Sequence, residues 1–100
     1  VIEELEPMVV GRWPLGAGSW FPPHSHPQHQ LNWAARGVIG VVVGSRHWVL
    51  PPTRALWIPA GTTHVTGATR DAVLRSLLVP ADRPDIGGGR PVPVAVDGLL

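Results

Sequence analysis

Twelve prolines and twelve glycines fall every few positions along these 100 residues, leaving no stretch long enough for an uninterrupted helix. Between them lie short runs rich in valine, tryptophan, isoleucine and leucine. Such runs, bounded by turn formers, read as strands. The sequence predicts strands at 8–13, 19–21, 29–36, 38–43, 47–50, 55–58, 64–67 and 72–79. Short strands spaced this closely indicate an all-β fold, an antiparallel sandwich or barrel. Gly44-Ser45-Arg46 and Thr69-Arg70-Asp71 read as hairpin connections, and Pro51-Pro52-Thr53 as a wider corner.

The β-rich unit is expected to occupy 1–79, followed at 80–100 by a Pro/Gly-rich C-terminal tail. There Pro80, Pro84, Pro91 and Pro93 flank Gly87-Gly88-Gly89, a composition that reads as a linker. No strand closely precedes the triple glycine and no lysine follows it, so it does not read as a phosphate cradle. After a short apolar piece, Val94-Ala95-Val96, Asp97 can cap a helix beginning at Gly98-Leu99-Leu100. Two leucines just past a helix-start signal suggest a longer protein that continues beyond Leu100.

Composition removes several functions. With no cysteine there are no disulfides, thiolate metal sites or cysteine nucleophiles. With no lysine there is no Schiff-base chemistry. The eight basic residues are all arginines, scattered from Arg12 to Arg90 with acids between them, whereas a nucleic-acid surface gathers them on one face. No apolar run approaches the roughly 18 residues of a membrane span, and no basic-then-apolar leader opens the chain. A cytoplasmic protein without membrane contact is expected. Ser19, in Gly16-Ala17-Gly18-Ser19-Trp20, lacks the nucleophile-elbow pattern and the helix that follows it.

The chemistry-bearing residues are His24, His26, Gln30 and His64. Residues two apart in an extended chain point to one side, so His24 and His26 aim their rings together, and Gln30 and Asn32 share that parity in a regular strand. Phe21 and His26 precede prolines, and Pro22, Pro23 and Pro27 have fixed φ, which gives a stiff presentation of both imidazoles. Pro59-Ala60-Gly61 forms a turn feeding a strand that carries His64. If the two halves face each other, the three histidines form one cluster. His29 has the opposite parity to Gln30 and should face away, as should Trp33, while His47 is an isolated strand-start residue.

The spacing Gly18-x5-His24-x-His26-x3-Gln30-x6-Gly37 resembles the first motif of the cupin superfamily, with glutamine at the usual glutamate. Pro59-x-Gly61-x2-His64 resembles the second motif, which departs from the pattern at Thr53 and Ala68, the usual glycine and asparagine. The resemblance covers about half the chain and implies a cupin double-stranded β-helix, or jelly-roll barrel. A narrower likeness lies in His29-Gln30-Leu31, Gly37-Val38, the run from Pro51 to Gly61 and Leu74-Arg75-Ser76-Leu77-Leu78-Val79. These resemble the N-terminal cupin domain of AraC-type transcription regulators. In that family the cupin senses a small molecule or contributes to dimerisation, and a C-terminal helix-turn-helix pair, which nothing here resembles, binds DNA.

The resemblance implies a metal shell of His24, His26, Gln30 and His64 for a divalent ion such as zinc, nickel or iron. An uncharged glutamine should hold a dication less tightly than glutamate, and Gln30 can serve an organic ligand instead. The plainer alternative is that these side chains satisfy one another and ordered water. Asn32, an inward amide, and Trp57, just before the second motif, are the candidate ligand-binding residues. The leading expectation is a sensor: a homodimer that takes a small-molecule effector and reaches DNA only through a C-terminal region outside this chain. The alternative is a small metal-dependent cupin enzyme, a dioxygenase or isomerase. Absence of tyrosine, cysteine and lysine leaves few acids or bases for catalysis and favours sensing. A dimerisation module with a vestigial pocket is the third possibility.

Overall fold

The computed structural model describes residues 9–96. The strands in chain order are β1 (Val9–Leu15), β2 (Ser19–Trp20), β3 (His29–Arg36), β4 (Ile39–Val43), β5 (Arg46–Leu50), β6 (Arg54–Ile58), β7 (Val65–Ala68), β8 (Ala72–Val79) and β9 (Val92–Ala95). They form a five-stranded sheet in the order β1-β8-β3-β6-β9 and a four-stranded sheet in the order β2-β7-β4-β5. Every pairing among them is antiparallel. The all-β expectation holds, and each of the expected strands is present with its ends unchanged or shifted by no more than two residues; Met8 lies outside the described residues.

The inner row of β3 runs Gln30, Asn32, Ala34, and its polarity sets the layout of the interior. At the Ala34 end the two sheets enclose an apolar core with Ile39, Val41, Leu50, Leu56, Ile58 and Leu74. Toward Gln30 and Asn32 the inner row becomes polar and the interior opens into a cavity. Both rows of β3 are buried over most of the strand because its outer face is covered as well. Gly44 at positive φ closes the β4–β5 hairpin, where Val43 faces Arg46 across a two-residue turn. Thr69-Arg70-Asp71 is not a hairpin: β7 and β8 belong to different sheets, so this segment carries the chain from one layer to the other. Pro51-Pro52-Thr53 makes another such crossing, from β5 to β6.

The segment expected to be a linker is instead folded against the outer face of the larger sheet. β9 pairs with β6 from Arg54↔Ala95 to Trp57↔Val92, and Val96 donates to the Thr53 carbonyl. Val92, Val94 and Val96 join Leu31, Ala55, Trp57, Val79, Trp33 and Leu77 in a second apolar cluster. The boundary drawn after Val79 therefore falls within a single sheet. The proposed helix cap at Asp97 lies outside the described residues.

Asp85 organises this strap. Its Oδ1 accepts from Trp57 Nε1 at 2.8 Å and from the Gly87 amide at 2.9 Å, and its Oδ2 accepts from the Gly89 amide at 2.8 Å. The triple glycine has local causes: Gly88 and Gly89 take φ of 59° and 86°, and a Cβ at Gly87 would run into the Arg90 carbonyl. His29 fastens the strap again, since its Nδ1 accepts from the Ala60 amide while Nε2 lies 3.1 Å from the Arg83 carbonyl. The ring is thus the Nε2–H tautomer, donating to Arg83, and it packs on Trp57 with centroids 5.0 Å apart.

The Trp57 N–H holds the Asp85 carboxyl below its ordinary range; burial opposes this, and the Gly87 and Gly89 amides add to the lowering. Because the folded-state pKa is the lower one, its contribution is complete above the unfolded value of about 4 and disappears as pH falls through the folded value. Exchange protection of the β9 amides, corrected for intrinsic rates, should hold steady above about pH 4.5 and weaken below about pH 4. In Asp85→Asn protection should be weaker at neutral pH and flat over the same range. An unchanged acid response in that variant would show that another carboxylate controls the strap.

Candidate metal centre and ligand cavity

The histidine cluster is built by one backbone pairing. His24 and His64 are directly opposed, with His24 N donating to His64 O at 3.1 Å and His64 N to His24 O at 2.9 Å. Opposed residues in an antiparallel pair project to the same side, and the two ring centroids lie 4.3 Å apart. His26, two residues along, takes the same side, with centroids 4.9 Å from His24 and 5.6 Å from His64. The second-motif turn is tied to the first motif by the Gly61 amide, which donates to His26 O at 2.7 Å. Between Trp20↔Gly67 and His24↔His64 the register slips by one residue across Pro22-Pro23, which lack amide hydrogens. The slip turns His24 inward although Trp20, four residues earlier, faces out over Gly40 and Gly67.

Two of the rings are held in a defined tautomer. His24 Nδ1 donates to Pro22 O at 2.8 Å and His64 Nδ1 to Thr62 O at 2.9 Å, so each keeps its lone pair on Nε2. His64 is only 2 % exposed and its Nε2 is a buried acceptor without a partner. Burial, countered in part by the Thr62 hydrogen bond, pushes the His64 pKa down, and the neighbouring His24 and His26 add to the shift. His26 is lowered by burial and then by His24. Ligand nitrogens from the three residues lie within 4.8 Å of one another. Three imidazoles whose ring nitrogens lie this close, two of them oriented by backbone carbonyls, are the donor set that a divalent ion of the zinc, nickel or iron type takes. The group can hold a metal ion.

His24 and His26 also line a cavity of about 400 Å³ between the sheets. Its apolar wall includes Trp13 of β1, Phe21, Pro22, Pro23 and, from β8, Leu74 and Leu78. Its polar wall is a relay. Gln30 Nε2 donates to Ser76 Oγ at 2.6 Å, Ser76 Oγ donates to Asn32 Oδ1 at 2.7 Å, and Asn32 Nδ2 reaches Thr66 Oγ1 at 3.5 Å. Gln30 is 7 % exposed, and its Oε1 has no partner. Among the described lining residues the only titratable side chains are His24 and His26.

Of the residues singled out in the sequence, His24, His26 and His64 come together, and Gln30 and Asn32 share the adjoining cavity. Trp57 does not. It lies opposite Leu31, in the row of β6 that faces the strap, so it belongs to the outer cluster and its indole N–H is engaged by Asp85. His29 and Trp33 occupy the outer face as parity requires, and His47 is exposed, edge-on to Trp20. Ser76 and Thr66 were not singled out. Ser76 was discoverable as the one hydroxyl in the inward row Ala72, Leu74, Ser76, Leu78, whereas Thr66 carries no comparable signal.

A sequence profile described as AraC-like ligand binding domain matches residues 16–84, which contain both histidine motifs and the whole polar relay. The chain belongs to the AraC-like ligand-binding domain family. A curated relative of this cupin-type domain is the HTH-type transcriptional regulator NimR of Escherichia coli (strain K12), 38% identical over 58 residues. That match covers 58% of this chain but 21% of NimR, so the AraC-like domain here corresponds to a minor part of the regulator's length. A cupin superfamily protein from Desulfitobacterium hafniense DCB-2 superimposes with a TM-score of 0.69 at 12% identity, covering 73% of this chain and 67% of that one. The DMSP lyase DddQ of Ruegeria pomeroyi DSS-3 superimposes with a TM-score of 0.67 at 20% identity, covering 87% of this chain and 42% of that one. The AraC-like domain therefore has the cupin fold, as the motif spacing implied. Among the described residues no helix is long and apolar enough to cross a membrane.

Proposed function

We propose that this domain is the effector-sensing part of a cytoplasmic transcription regulator that works as a homodimer and contacts DNA through a region outside this chain. The cavity takes a small molecule, and a divalent ion held by His24, His26 and His64 forms one end of it. When bound, such an ion supplies a Lewis-acidic position for a ligand oxygen or nitrogen. The observation that carries the sensing reading is a cavity of effector size with apolar walls, a hydrogen-bonded polar relay and, apart from the histidines, no acid or base on its lining. The NimR likeness supports the link to DNA.

The three convergent histidines are also what a metal-dependent lyase, dioxygenase or isomerase needs, and the enzyme reading rests on them. The two readings part on the reading frame beyond Leu100. A helix-turn-helix region encoded there, in a longer protein whose operator affinity changes with cavity occupancy, is the expected result. A stop codon directly after Leu100 would overturn the regulator reading and leave the enzyme.

A further inference from the structure

Gln30 occupies the motif position at which a carboxylate would complete a metal shell, yet its environment is organised for a different task. Its amide nitrogen is committed to Ser76, which donates its O–H to Asn32 Oδ1, and Asn32 in turn points its amide nitrogen at Thr66. The relay leaves Gln30 Oε1 as a lone acceptor on a side chain that is 93 % buried and lines the cavity. A buried acceptor without a donor is costly. A bound molecule bringing an N–H or O–H to that atom removes the cost.

The rest of the wall restricts what carries this donor. Trp13 and Phe21 contribute aromatic surface, and Leu74 and Leu78 aliphatic surface. No arginine, aspartate or glutamate lies among the described lining residues, so away from the histidine end nothing compensates an ionic group beside Gln30. Flat, apolar ring systems suit such walls.

Resting on the reading of the cavity as an effector site, we propose that the effector class is an uncharged one- or two-ring aromatic molecule bearing an N–H or O–H donor, and that Gln30 Oε1 accepts that donor. Gln30 then acts as the specificity residue of the cavity rather than as a metal ligand. A site built to pair a ligand hydrogen rejects the analogue that lacks it, because the protein atom is left unpaired.

Three bicyclic probes of similar size test this by calorimetric titration of the full chain: indole, which carries a donor; 1-methylindole, which carries none; and 1-indanone, which carries only an acceptor. Indole should bind about tenfold or more tighter than either of the others, although methylation makes the probe more apolar. Gln30→Met, similar in size but apolar, should bring indole and 1-methylindole to within about twofold of each other. Equal binding of all three to the unsubstituted chain would overturn the role of Gln30 while leaving the cavity as a ligand site. Preference for 1-indanone would also overturn it, since the relay would then run in the opposite direction with the amide nitrogen facing the cavity. Failure of all three to bind would overturn the proposed effector class, while the sensor reading keeps its own test in the reading frame beyond Leu100.

Discussion

Replacing His64 by alanine should abolish the divalent-ion binding proposed for His24, His26 and His64. In protein purified without a histidine tag, elemental analysis should find close to one divalent ion per chain before the substitution and a background level after it. His64 is the buried member of the trio, and its Nε2 lone pair has no other partner. Loss of a group that merely hydrogen-bonds a ligating histidine costs about 10–100-fold in metal affinity, so loss of a direct ligand should exceed that. His64→Gln, which keeps most of the volume, guards against a loss caused by misfolding and should lower metal content as well. His29→Ala is the informative control. Its ring is tied to Ala60 and Arg83 on the other side of β3, so metal content should be unchanged even though stability falls. Metal content that persists in both His64 variants would place the ion elsewhere, and absence of metal from the unsubstituted protein would end the metal reading.

Trp57→Ala should be the most damaging substitution on the outer face, costing about 3–5 kcal/mol of the roughly 5–15 that keep a domain folded. The indole is 6 % exposed, stacks on His29 and anchors Asp85, so its loss opens a void and releases the strap together. Trp57→Phe keeps a ring and forfeits the N–H, so about 1 kcal/mol should be lost. Ligand affinity is the sharper readout. Trp57 lies across the sheet from the cavity, so the Phe variant should bind the cavity probes as tightly as the unsubstituted chain. A tenfold fall in probe affinity without a matching fall in stability would return Trp57 to the ligand-binding role that its position in the sequence suggested.

That misplacement of Trp57 has a physical cause. A strand buried on one face advertises its inward row by alternation, but β6 is apolar on both: Leu56 and Ile58 enter the core while Ala55 and Trp57 meet the strap. Only its register against β3 says which row is which. The histidines were easier to read because period-two parity and stiffening prolines act locally, and the motif spacing brought His64 opposite them. Gln30 and Asn32 followed from the same parity. The strap was hidden for the opposite reason. Proline and glycine raise the stiffness or freedom of a free chain, and composition alone does not reveal that one carboxylate, Asp85, will satisfy the amides of Gly87 and Gly89 and fix the loop on an indole. Thr69-Arg70-Asp71 looks like any tight turn because turn formers are needed equally for reversing within a layer and for leaving it.

His29 and Gln30 share a peptide bond, yet one grips the C-terminal segment and the other faces the chamber. The partition between these two compartments is thus a single ribbon of backbone. A guest seated against Gln30 and the C-terminal segment held by His29 therefore bear on opposite sides of one peptide plane.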